Sequence, residues 1–298
     1  MKIYGAIEAG GTKFICLVGT DPQHILEEAR FNTTNPSETL TNVVEFFKRA
    51  AAGKHLAAIG IGCFGPLDLD PHSPAFGSIT ATPKPGWSNT HILTMLQEAL
   101  QTSVAIDTDV NAAALAEYTW GAAQGIDPFV YLTIGTGIGG GGIINSAPLH
   151  GLVHPEMGHI RVPHDLQKDP FEGVCPFHGD CFEGLASGPA LYKRWGQLAE
   201  NLPDNHPAWE LEAHYIALAL SDLVCTLSPK RIICGGGVMQ NQKLLPLMRQ
   251  KLIEFLNGYV QSPEILENVD NYVQPPALGN RAGVLGALAM AQFGWGNP

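Results

Sequence analysis

Asp109 is the residue best placed to do chemistry: it follows an apolar run, SVAID (103–107), and opens an Ala-rich stretch, NAAALAE (111–117). Ligands in open α/β sheets gather beyond the carboxyl ends of strands, and a helix N-terminus keeps a carboxylate ionised and able to take a proton. Two Gly-Thr turns accompany it, EAGGTK (8–13) and TIGTGIGGGG (133–142), each set between apolar β-like runs. A turn of small residues exposes consecutive N–H donors with no side chain in the way, which makes an anion cradle. Thr12, Thr133 and Thr136 add hydroxyls, and Lys13 adds charge. Two backbone cradles for phosphates and one base for an attacking oxygen are what phosphoryl transfer to a small hydroxyl compound needs. Any one of them alone would be ordinary, since Gly-Gly turns make hairpins and Asp, Thr and Asn are common helix caps. Asp107, Asp109 and Asn111 cannot all cap one helix, so at least one has another duty.

The elements that must position these residues alternate. Strand-like runs occupy 3–9, 13–19, 56–65, 103–107, 129–135, 139–145 and 230–236. Helical patterns occupy 37–52, 89–101, 110–121, 187–199, 207–227, 241–257 and 281–293. The stretch 146–186, rich in Pro, Gly and His, has little periodicity, and a loop that long is usually functional or pinned by a ligand. Two GxGxxG strings, Gly60–Gly65 and Gly135–Gly140, invite a dinucleotide reading, but neither opens a helix as that fingerprint requires. No GxxxxGK[ST] string occurs, so a P-loop is not expected.

A chain of 298 residues, 45% hydrophobic and 15% charged, has material for two domains and a substantial core. The formal net charge of −11 argues against a nucleic-acid partner and an anionic membrane surface. An anionic substrate such as ATP must then be held locally, by Mg²⁺ and backbone N–H groups. No apolar run is long enough to span a bilayer, and the N-terminal run is too short for a signal peptide. Six cysteines, mostly isolated in apolar runs, fit reduced thiols in a cytoplasmic protein. Cys175 and Cys181 differ: with His159 and His178 they form H-x₁₅-C-x₂-H-x₂-C, an N₂S₂ set suited to tetrahedral zinc. The spacing is not that of a zinc finger, so on it alone a zinc site and an unligated loop both stand.

Eight ordered motifs carry a resemblance: EAGGTK, IGIGCFGPLD, TATPKPGW, DVNAAALAE, TIGTGIGGG, HPEMGH, CPFHGDCFEGLASGP and IICGGGVM. Together, from residue 3 to about 290, they resemble the ROK family of sugar kinases, and in detail its bacterial fructokinases. The resemblance implies an α/β, two-domain actin-like ATPase (ribonuclease H-like) fold with an interdomain active-site cleft. Residues 1–117 plus 281–298 would form one domain, and 118–280, carrying a zinc loop over 154–183, the other. It implies transfer of the γ-phosphoryl group of MgATP to a hexose hydroxyl in a homodimer, with Asp109 as general base. Gly10, Gly11, Thr12, Lys13, Thr133, Gly135, Thr136 and Gly137 would face the phosphates. Gly235, Gly236 and Gly237 would admit the adenosine, with Pro189 on its other side.

Glu156, Glu183 and His159 would bind the sugar beside Asp109 and Lys84. A structural zinc on His159, Cys175, His178 and Cys181 is also implied, although the family more often uses three cysteines and one histidine. His178 keeps the ligand count, and His164 or His154 could be mistaken for the fourth ligand. Three departures follow the fructokinase branch and point away from glucose: Glu8 for Asp, Thr108 for Asn, and Lys84 for Asn. The expected reaction is D-fructose to fructose 6-phosphate, with glucose, mannose or N-acylmannosamine as other possible acceptors. A sugar-responsive regulator is less expected, since no helix-turn-helix pattern precedes the first strand.

Overall fold

The computed structural model describes residues 2–51 and 55–295; the last residues of the helix expected over 37–52 lie partly outside them. In chain order the strands are β1 (Ile3–Ala9), β2 (Lys13–Asp21), β3 (His24–Asn32), β4 (Leu56–Cys63), β5 (Val104–Thr108), β6 (Phe129–Ile134), β7 (Ile138–Ile144), β8 (Ala147–Pro148), β9 (Ile232–Gly235) and β10 (Val273–Gln274). The helices are α1 (Pro36–Ala50), α2 (Ile92–Leu100), α3 (Asp109–Trp120), α4 (Phe182–Ala186), α5 (Gly188–Trp195), α6 (Ala208–Leu227), α7 (Leu244–Leu256), α8 (Pro263–Leu266), α9 (Val269–Tyr272) and α10 (Ala282–Phe293). Among the described residues no helix is long and apolar enough to cross a membrane.

The chain divides into two compact units. The first holds Met1–Gln124, Pro148–Pro155 and Asn280–Pro298. Its sheet runs β3-β2-β1-β4-β5, with β1 antiparallel to β2 and parallel to β4, and β4 parallel to β5. Side chains alternate across it: Val104 and Ile106 join the core with α1 and α2, while Ala105 packs with α3 and α10. α1 is well capped, with the Asn35 side chain accepting the Glu38 N–H and Pro36 at its start.

The Ala- and Gly-rich helices α3 and α10 approach backbone to backbone. A Cβ on Gly286 would lie 1.7 Å from the Ala112 carbonyl oxygen, and one on Gly60 of β4 would lie 1.9 Å from that of Ala287. The first GxGxxG string is therefore spent on helix–sheet packing. Gly286→Ala should destabilise the protein by about 2 kcal/mol or more, because backbone rather than a movable side chain must give way. Urea unfolding measures this; an unchanged midpoint would contradict the close approach.

The second unit, Gly125–Ala147 and Glu156–Gly279, has the sheet order β10-β9-β6-β7-β8. β6 and β7 form an antiparallel hairpin, and β9 runs parallel to β6 with Thr133 opposite Gly235. The boundaries differ from those expected at 117/118 and 280/281. α3 continues to Trp120, so the first unit extends to Gln124. Pro148–Pro155 also joins the first unit, because His150 and His154 hydrogen-bond into it: His154 Nε2 accepts the Leu67 N–H at 3.1 Å, and His150 meets Asp107.

Candidate functional site

In the first unit, β1, β4 and β5 are parallel and in register, with Ala9 opposite Cys63 and Cys63 opposite Thr108. The Gly10–Lys13 turn and Asp109 therefore leave the same edge of the sheet. Gly10 donates its N–H to the Lys13 carbonyl at 3.0 Å, so that hydrogen closes the hairpin instead of facing outward. At the tip, Thr12 and Lys13 are exposed, and a Cβ on Gly11 would meet nothing within 4 Å. Thr33 braces the turn through its hydroxyl to the Gly10 carbonyl (2.7 Å) and its N–H to the Thr12 carbonyl (2.9 Å).

Asp109 is the first residue of α3, half-buried, and its Oδ1 accepts the Val110 N–H at 2.9 Å. The helix cap is Thr108, whose hydroxyl accepts the Asn111 N–H at 3.1 Å. Asp107 is buried, accepts the Asn111 amide at 2.8 Å, and lies 2.9 Å from His150 Nε2. Sequence reasoning missed His150, which sits 39 residues from Asn111 in an aperiodic stretch. Lys84 lies half-buried in the turn that Trp87 anchors; Trp87 is fully buried and donates to the Thr34 carbonyl at 2.7 Å. Glu8 accepts the Val284 N–H, and among the described residues its buried Oε2 has no partner. Burial raises its carboxyl above the usual range, against the lowering effect of Lys13.

In the second unit three glycine segments converge. Gly188 donates to the Gly135 carbonyl at 2.7 Å, and Gly135 donates to the Gly137 carbonyl at 2.9 Å. Gly236, at φ 100°, packs so tightly on Ile134 that a Cβ there would lie 2.3 Å from its carbonyl oxygen, and only glycine tolerates both conditions. Thr136 and Gly237 stay exposed beside them, as does Pro189 in the first turn of α5. Glu183 Oε2 accepts the Ile138 N–H at 2.9 Å, which ties a predicted sugar ligand to the Gly-Thr turn through an oxygen that keeps further acceptor capacity. Glu156 is exposed, and its carbonyl accepts the His159 N–H at 2.9 Å, opening the short turn Met157–His159.

His159, Cys175, His178 and Cys181 place their ligand atoms within 4.8 Å of one another. Cys175 Sγ lies 3.7 Å from both His159 Nδ1 and His178 Nδ1, and Cys181 Sγ lies 3.5 Å from His159 Nδ1. Donors about 2.0–2.3 Å from one tetrahedral centre stand about 3.3–3.8 Å apart, so the donor chemistry and these three separations fit zinc. Burial, with the Cys175 thiol adding to it, pushes the Cys181 thiol up to about 11. A bound cation would reverse that. Neither other histidine belongs to the cluster. His164 bonds Asp180 at 3.2 Å and the Asp169 carbonyl at 2.9 Å, and His154 bonds Leu67. Asp169 in turn meets Arg194 at 3.2 Å and Tyr215 at 2.6 Å, fastening the loop to α5 and α6. No sequence pattern marked that network, because its members come from four separate segments.

Two α/β units, each with a Gly-Thr hairpin beside parallel strands, define the actin-like ATPase fold. The ROK family model matches residues 4–293, and the chain belongs to that family. It is similar to a fructokinase of Zymomonas mobilis, 46% identical with 97% of this chain and 96% of that protein covered. A fructokinase of Lactococcus lactis is 42% identical, with 97% and 96% covered. Among solved structures, a ROK family glucokinase from Streptomyces griseus in complex with glucose and AMPPNP is 26% identical, with a TM-score of 0.78 over 98% of this chain and 99% of that one.

Proposed function

We propose that this chain phosphorylates a hexose with ATP, converting D-fructose to fructose 6-phosphate. What supports fructose is the 46% identity to a fructokinase across both units, against 26% to a glucokinase of the same fold. Asp109, held at the start of α3, takes the proton from the attacking hydroxyl as the γ-phosphoryl group arrives. Glu156, Glu183 and His159 bind the remaining hydroxyls, so an acceptor lacking one leaves a carboxylate unpaired. The N–H groups at the tips of the two Gly-Thr turns bind phosphate oxygens, and Gly235–Gly237 with Pro189 take the adenosine. Mg²⁺ bound with ATP neutralises phosphate charge, and Glu8, with its orphaned oxygen, is the carboxylate that would face it.

Zinc on His159 Nδ1, Cys175, His178 Nδ1 and Cys181 would fix the His159 ring, leaving its Nε2 for the sugar. By family resemblance the enzyme works as a cytoplasmic homodimer, so light scattering should give twice the chain mass. An ADP-release assay across fructose, glucose, mannose and N-acylmannosamine tests the central assignment. Fructose should give the highest kcat/KM. No turnover on any sugar would sink the kinase, and a preference for glucose would sink the fructokinase.

A further inference from the structure

Asp107 is 2% exposed, and every bond to its carboxylate comes from the junction between β5 and α3 or from His150. Oδ1 accepts the Thr108 N–H at 2.7 Å and the Asn111 amide at 2.8 Å. Oδ2 is met by His150 Nε2 at 2.9 Å. A carboxylate only accepts, so Nε2 must carry the hydrogen, and Asn111 must turn its amino group toward Asp107. The consequence is visible: among the described residues the buried Asn111 carbonyl oxygen has no partner. The junction forgoes one hydrogen bond to keep the set around Asp107 closed. Asp109 lies in the chain between the two residues that this set joins.

We propose that His150 is a positioning residue for phosphoryl transfer: by closing the hydrogen-bond set of Asp107 it holds the first turn of α3, and with it Asp109, in the orientation that accepts the sugar proton. The proposal rests on Asp109 being the base. Without His150, a buried carboxylate oxygen loses its partner, Asp107 rotates toward water, and Asn111 and the first turn follow. Displacement of a reacting group by about 1 Å can cost on the order of 10²-fold in rate.

The imidazole also carries a titration signature. The hydrogen bond and charge of Asp107 hold the His150 pKa above its ordinary value, against burial. Asp107 on β5 is the charged group facing it, and Asn111 on α3 is neutral. Its stabilisation is thus complete below about pH 6.5 and is lost as pH rises through the raised folded value.

The test compares wild type, His150→Ala, His150→Gln and His150→Asn on fructose, with Asp109→Asn in the same assay. His150→Ala should lose about 10- to 100-fold in kcat, with the fructose KM within about twofold. His150→Gln, whose amide reaches Oδ2, should recover most of kcat. The Tm advantage of wild type over His150→Gln should shrink from pH 6 to pH 9. An unchanged kcat in His150→Ala overturns the proposal, as does a raised KM with intact kcat, which would make His150 a sugar contact. If the Ala variant does not fold, the order decides: Gln above Asn, one methylene shorter, supports positioning, and equal kcat values refute it. A wild type inactive on fructose would instead refute the fructokinase reading, and an active Asp109→Asn the base assignment, whatever His150 does.

Discussion

Asp109→Asn should lower kcat about 10²- to 10⁴-fold and leave the sugar KM within about twofold, the span a general base contributes. The substitution is nearly silent for the fold. Asparagine keeps a carbonyl oxygen that can accept the Val110 N–H, as Asp109 Oδ1 does at 2.9 Å. Thr108 still caps α3, and Asp107 still ties Asn111 to the strand end. What is lost is the proton acceptor alone. A neutral amide cannot take the hydroxyl proton, so the transition state loses stabilisation that the sugar-bound ground state never had. Steady-state kinetics with a melting curve on the same preparation separate the two cases. An unchanged Tm with collapsed kcat is expected; near-normal turnover would remove Asp109 from the base's role.

Much of this arrangement could be read from residue order. Short apolar runs became β1, β2, β4, β5, β6 and β9 because each is buried on both faces or nearly so. β3 escaped notice for the opposite reason. HILEEARFN has no buried residue and contains LEEAR, a run of good helix formers. It is a strand only because the turn at Asp21–His24 folds it back onto β2, a tertiary cause invisible in local propensity.

The site divides in the same way. Gly-Thr turns and the Cys/His spacing are local patterns, and the structure assembles each within its own unit. Asp107, Asp109 and Asn111 were legible as competing caps, but the cap is Thr108, and what braces Asp107 is His150, far away in sequence. Gly10 shows the limit of composition: its freedom was visible, but not that its N–H is spent on Lys13. The Asp169–Arg194–Tyr215 set joins loop to helices through residue types common on any surface, so no spacing could have announced it.

Removal of zinc should have the second large effect, because little else holds the tip of the loop it would pin. From Arg161 to Asp180 the chain has no helix or strand, and Phe177 at its tip is 75% exposed. Asp169 and His164 anchor its first half through Arg194, Tyr215 and Asp180, but the fastenings of the tip are few: Cys175 and Gly179 exchange backbone bonds, and Arg161 reaches Asp180 and the His178 carbonyl. These surface contacts contribute little once the centre is lost, whereas a structural zinc contributes folding energy directly. Purified protein should carry about one zinc per chain, and Cys181→Ala should lose it. That variant and the chelated wild type should both drop kcat/KM by about tenfold or more, since losing the groups that orient a functional histidine costs about 10- to 100-fold. His178→Cys should retain metal and activity, because Cys₃His is an equally good tetrahedral set. Metal-free protein with full activity would break the link between cluster and sugar. Zinc retained in Cys181→Ala but lost in His164→Ala would move the ligand set to a histidine that the structure instead gives to Asp180 and Asp169.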